Sequence, residues 1–246
     1  MKDDIKFEKL SDSVTAAQDG RGLLLTSDAC LLAAFVARNA KNRICELGAG
    51  SGVISLMLLL NKKIRSSLCV DVQEEMCRIA NENAENNGFA DKMTAICADV
   101  IDFRTDRPFD TVVSNPPYFK SDDGKPNVSP LDRLCRHETT AGIEDFALCA
   151  SRILKDGGTA YFCYDPKRAA DLYCALRSAG LEPKSKVSVY PTPKHRPSLL
   201  LVAAKKGAKS GIVTHRPLFI YKDEPGKELT EDYLTIKERN DISILK

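Results

Sequence analysis

No stretch of this sequence approaches the roughly 20 consecutive apolar residues that a membrane-crossing helix requires. The first residues, MKDDIKFEKLSDSV, are charged where a secretory leader would be hydrophobic. Both absences point to a cytoplasmic protein with no membrane partner. No two cysteines are spaced C-x-x-C, and their number, nine, is odd. Several lie in apolar strand-like runs, RICEL, SLCVDV, TAICAD and AYFCY. Free cysteine packs as a small hydrophobe, so reduced core residues are expected rather than disulfides or a metal site. Internal repeats and low-complexity tracts are missing too, although the stretch 116–138 reads as a long, polar loop, either functional or disordered. A strong charge of one sign is also lacking, since the net charge is only +2. The exception is local: Lys184, Lys186, Lys194, His195, Arg196, Lys205, Lys206 and Lys209 fall within 184–209 with no acid among them. Such a run either attracts phosphate or is the solvated surface of two strands and a loop.

The chain has 246 residues, 43% hydrophobic and 28% charged, enough for one large α/β domain. We read it as a single domain over 1–246, with an N-terminal extension and helix (1–41), a core (42–206) and a C-terminal tail (207–246). Apolar runs alternate with helical patterns through the core. Strands are predicted at 43–47, 66–72, 93–99, 109–115 and 159–164. Helices are predicted after the first strand, at 74–87, at 142–158 ending in a Gly pair, and at 166–180. KSKVSVYP and RPSLLLVAAKK then read as two final strands joined by TPKH. Ahead of the alternation, Ser27 or Asp28 opens an amphipathic helix. Alternation of this kind implies a Rossmann-like, doubly wound α/β fold. Its sheet is mostly parallel and seven-stranded, with helices on both faces and the last strand antiparallel. Ligands in such folds bind beyond the carboxyl ends of the strands.

The first strand runs into ELGAGSG, with glycines at 48, 50 and 52. These let the backbone turn tightly and approach a ligand. A dinucleotide fingerprint would place Gly or Ala where Val53 stands, which disfavours pyrophosphate. Asp71 and Asp99 end the next two strands. Three acids (Glu46, Asp71, Asp99) and a Gly loop at successive strand ends suit a nucleoside without phosphates, or a cation; three ordinary surface acids would look the same.

ELGAGSG, then VDVQ, CADV and SNPPY resemble the class I S-adenosylmethionine-dependent methyltransferases that modify amino groups. The flanking segments SDACLLAAF, RHE (136–138), PKSKVSVYP and RPLFIY (216–221) narrow the resemblance to the bacterial tRNA(Val) adenine-N6 methyltransferase family. That resemblance implies S-adenosylmethionine as cofactor, S-adenosylhomocysteine as product, and tRNA as partner. It implies a cofactor site at Thr26, Glu46, Gly48, Gly50, Gly52, Asp71, Val72, Asp99, Val100 and Asn115. The target would be the N6 amine of an adenine beside the anticodon of valine tRNA.

The motif Asn115-Pro116-Pro117-Tyr118 suits that chemistry. An exocyclic amine on adenine is a weak nucleophile because its lone pair is delocalised. The Asn115 side-chain oxygen and the Pro116 carbonyl can accept its hydrogens, and Pro117 supplies no N–H to compete for that carbonyl. Acceptor dipoles held in place stabilise the positive charge that develops on nitrogen. Tyr118 can stack on the flat substrate. Arg133, Arg136, His137, Lys194 and Arg196 are candidate RNA contacts. A glutamine amide presents a similar amino group, so a protein glutamine-N5 methyltransferase acting on a release factor is the alternative. A strand-terminating NPPY in a nucleotide-binding module is the non-enzymatic one.

Overall fold

The computed structural model describes residues 5–11, 14–19, 27–116 and 141–245 of the chain. A two-stranded antiparallel hairpin, β1 (Ile5–Ser11) and β2 (Val14–Asp19), precedes α1 (Ser27–Ala37). The alternating core follows. It comprises β3 (Arg43–Leu47), α2 (Val53–Leu60), β4 (Ser66–Asp71), α3 (Glu74–Asn86), β5 (Met93–Cys97) and β6 (Phe109–Ser114). It continues with α4 (Ile143–Ile153), β7 (Leu154–Tyr164), α5 (Ala169–Ser178), β8 (Leu181–Tyr190) and β9 (Leu199–Lys206). Beyond residue 206 lie β10 (Val213–Thr214), β11 (Leu218–Phe219), α6 (Glu231–Arg239) and a short 3-10 helix, Ser243–Leu245.

The strands from β3 onward form one mixed sheet in the order β10-β8-β9-β7-β6-β3-β4-β5, with β11 also paired to β8. Among the seven long strands only β9 is antiparallel, inserted between β7 and β8. The expected seven-stranded Rossmann-like sheet is therefore present. β10 and β11, two residues each, lengthen its edge. The order reverses beside β3, where strand succession runs outward in both directions and leaves a crevice at the carboxyl ends.

The strands alternate their side chains between two cores. Ile44, Val113, Tyr161 and Leu201 face α1, α2 and α3; Cys45, Val112, Phe162 and Val202 face α4 and α5. The segment after residue 206 joins the first core through Leu218, Ile236, Ile242 and Leu245, each at most 2% exposed.

Two expectations are corrected. The helix expected over 142–158 stops at Ile153, because Leu154 already pairs with Phe109 of β6. The Gly pair is not a helix cap but a bulge in β7: the pairing register shifts between Phe109 and Thr111, and Gly157 takes φ 70. Among the cysteines, Cys45, Cys69, Cys77, Cys149 and Cys163 are buried and unbridged, but Cys97 and Cys174 are exposed. Cys97 ends β5, the edge strand of the sheet, and its thiol donates to the Val72 carbonyl at 3.3 Å. Cys135 falls outside the described residues.

Candidate active site

Parallel pairing brings the motifs together. Leu47 of β3 lies opposite Val70 of β4 and Ser114 of β6, and Asp71 lies opposite Cys97 of β5. The Gly loop, Asp71–Val72, Asp99–Val100 and Asn115 therefore leave neighbouring strands at the same edge. Two bonds fasten this edge. The Ser114 hydroxyl donates to the Leu47 carbonyl at 2.9 Å, and the Gly48 N–H donates to the Val70 carbonyl at 2.9 Å. Asn115, half-buried, thus emerges next to Gly48, and Pro116 behind it is buried.

Asp71 clasps the Gly loop. Its Oδ2 accepts the Gly50 N–H at 2.8 Å and its Oδ1 accepts the Gln73 N–H at 3.0 Å. The residue is 8% exposed. Burial raises its pKa, and the hydrogen bonds from Gln73, Gly50 and Val72 pull the other way. A carboxylate has about four acceptor sites, so these three donors leave it capacity to accept from a ligand hydroxyl. Asp99, half-buried, accepts the Ile101 N–H at 2.9 Å, which shapes the turn after β5.

Glu46 is placed differently from the other two acids. It is 2% exposed and lies beneath the loop, pointing at the start of α2. That helix has Gly52 as its N-cap, which has no side chain to satisfy the first amides. Glu46 substitutes: its carboxylate accepts the Ser55 N–H at 2.9 Å, the Ser55 hydroxyl, and the Ile54 N–H. The Ser55 hydroxyl also meets that of Ser67 at 2.6 Å, and the Cys69 thiol donates to it at 3.4 Å. Desolvation pushes the Glu46 pKa up to about 7 despite these donors. Sequence spacing could not reveal this cluster. The only hint was a serine three positions after the cap, at 55.

The three loop glycines have different reasons. Gly48 and Gly50 hold φ of 64 and 52. A Cβ on Gly50 would meet nothing within 4 Å, so that face of the loop is open. A Cβ on Gly52 would come within 2.2 Å of Met93 Cε. Gly52 is held to glycine by its φ of 74 and is crowded by the Met93 methyl and by Ala80, while Gly50 keeps the crevice clear.

The charge run 184–209 does not form one patch. β8 and β9 run in opposite directions, so Lys194, His195 and Arg196 sit on the connection at the carboxyl edge, with the site. Lys205 pairs opposite Glu182 at the other end of the sheet. Thr192, fully buried, folds that connection: its hydroxyl accepts the Lys194 N–H at 3.2 Å and meets His195 Nδ1 at 2.7 Å. Lys194, His195 and Arg196 are exposed on it. Thr26, Pro117, Tyr118, Arg133, Arg136 and His137 lie outside the described residues.

The family model of the methyltransferase small domain matches residues 26–162, more than half of the chain. The chain belongs to that family. Curated relatives of this methyltransferase include the tRNA1(Val) (adenine(37)-N6)-methyltransferase of Dyadobacter fermentans, 24% identical, with 85% of this chain and 87% of the relative covered. A protein of the same name from Actinobacillus pleuropneumoniae is 29% identical over 67% of this chain and 69% of its own. Among solved structures, a predicted O-methyltransferase of Agrobacterium tumefaciens superposes with a TM-score of 0.67 at 24% identity, covering 87% and 97% of the two chains. Pyrococcus horikoshii TYW2, solved with MeSAdo, gives 0.59 at 14% identity, covering 84% and 73%. The methyltransferase shares their fold.

Proposed function

We propose that the protein transfers the methyl group of S-adenosylmethionine to the N6 amine of an adenine in tRNA, the adenine beside the anticodon of valine tRNA. The reading rests on one observation: Asn115 and Pro116 leave β6 directly beside the Gly loop, held there by the Ser114–Leu47 bond. The names of the curated relatives support the same substrate.

The residues fit the cofactor. The open face of Gly50 leaves room for it, and Asp71 and Asp99 keep acceptor capacity for ribose hydroxyls and an adenine amine. Gly48, Val72 and Val100 would line its path, while Glu46 and Gly52 hold the loop from below. When bound, S-adenosylmethionine supplies an electrophilic methyl group on a sulfonium. Asn115 and the Pro116 carbonyl accept hydrogens of the target amine and localise its lone pair toward attack. The amine then loses a proton to water, so no strong base is needed. Tyr118 stacks on the adenine. Lys194 and Arg196 lie at the same edge and meet RNA phosphate, joined by Arg133, Arg136 and His137.

Labelled S-adenosylmethionine with total tRNA or with release factor tests the proposal. Label in tRNA, recovered as N6-methyladenosine, is the expected outcome. Label in release factor alone would assign the glutamine chemistry instead.

A further inference from the structure

The two helices that flank β4 both end at the amino edge of the sheet, opposite the active site. Each closes with the same double hydrogen bond. In α3 the Gly88 N–H bonds the Glu85 carbonyl and the Phe89 N–H bonds the Ala84 carbonyl, with Gly88 at φ 71. In α2 the Lys62 N–H bonds the Leu59 carbonyl and the Lys63 N–H bonds the Leu58 carbonyl, with Lys62 at φ 52. This closure needs a left-handed residue, and glycine is the residue that adopts it without strain. The first helix carries lysine there and bears the strain. A cation near a helix C-terminus suits the helix dipole. That would be served equally by Lys63 and does not explain a lysine at the left-handed position.

Between the two helix ends lies a cleft of about 390 Å³. Leu60, Ile64 and Phe89 give it apolar walls, and Lys62, Arg65 and Lys92 ring it. No acidic side chain lines it, and among the described residues none of the three cations is in an ion pair. Lys92 Nζ stands 5.9 Å from the Phe89 ring centroid. An open depression with Leu60, Ile64 and Phe89 on its wall and three cations around it offers apolar surface to a base and charge to its phosphates.

We propose that this cleft binds an unpaired nucleotide of the RNA substrate, remote from the methylated base. Phosphates of this nucleotide and its neighbour rest on Lys62, Arg65 and Lys92, and the base lies against Leu60 and Phe89. The cleft and Asp71 occupy opposite ends of β4, about 20 Å apart at 3.3 Å per residue, a span that a folded RNA bridges. The inference rests on the tRNA reading above.

The test uses the full chain and a tRNA transcript methylated by the wild type. The variant Lys62→Gly/Arg65→Gln/Lys92→Gln should raise the tRNA KM about tenfold, with kcat and S-adenosylmethionine affinity unchanged. The slope of log affinity against log salt should fall by about 2 to 3, one phosphate per cation. Phe89→Leu should weaken tRNA binding severalfold and leave that slope unchanged, since it removes no charge. Lys62→Gly alone should weaken RNA binding while raising the melting temperature, a pair of signs that a purely structural lysine would not produce. Unchanged tRNA affinity and salt slope in the triple variant would overturn the inference while leaving the function intact. A Phe89→Leu variant with wild-type affinity overturns the placement of a base in the cleft. A wild-type protein that methylates no tRNA overturns both readings.

Discussion

At the scale of single residues, Asn115 and Glu46 separate chemistry from support. If the Asn115 oxygen polarises the amine, its contact is strongest in the transition state. Asn115→Ala should then lower the single-turnover rate by about 100-fold, with cofactor affinity held. A normal rate per folded molecule with a lower melting temperature would reduce the motif to a strand stop. Glu46 acts through pH. Its folded pKa, about 7, lies above the ordinary 4.5, so its contribution to stability is full below pH 4.5 and is lost as pH rises to 7. The gap corresponds to about 3 kcal/mol. Between pH 4.5 and 8 the stability of Glu46→Gln relative to wild type should therefore shift in favour of the variant by that order. Urea midpoints of the two proteins across this range check it; a constant difference would place the Glu46 proton elsewhere.

At the scale of elements, the Gly loop combines two demands within five residues. Both Gly50 and Gly52 have positive φ, so alanine at either costs about 1–2 kcal/mol of strain. Gly52→Ala must also displace Met93 or move α2 from β5, an overpacking cost of about 1–3 kcal/mol more. We expect Gly52→Ala to lower the melting temperature clearly further than Gly50→Ala. Gly50→Ala should instead show the larger loss of S-adenosylmethionine affinity per unit of lost stability, because its Cβ projects into the open face. Thermal melts and calorimetry on the same two preparations settle the order. A Gly52→Ala protein that melts like wild type would mean that the α2–β5 contact is looser than the geometry indicates.

At the scale of the molecule, the segment beyond residue 206 is part of the core. Ile236, Ile242 and Leu245 are buried with α1 and α2. Burying each such side chain contributes about 1.5–3 kcal/mol. Their sum is comparable with the whole stability of a domain, about 5–15 kcal/mol. A chain ending at residue 230 should therefore be insoluble or melt far below the full chain. Unchanged melting on truncation would show that α6 packs without contributing.

The sequence by itself determined the alternation of strands and helices, the Gly loop, the acids at successive strand ends and the placement of Asn115 after β6. These follow from side-chain period and backbone preference, which are local. It also placed Asp71, Asp99 and Asn115 at one edge, because parallel strands with helical crossovers must put all their carboxyl ends there. Only the tertiary structure decided what lies between distant segments. The β8–β9 reversal sends Lys194 and Lys205 to opposite ends of the sheet, although they are neighbours in one charge run. Pairing of Leu154 with Phe109 takes LKDGG from helix to strand. Glu46 turns inward because α2 starts on a glycine that cannot cap it. Lys62 meets Lys92 across a cleft because α2 and α3 end side by side on one face of the sheet. Periodicity specifies which face a residue takes; which end it reaches and what it touches there depend on chain reversals and on pairings remote in sequence.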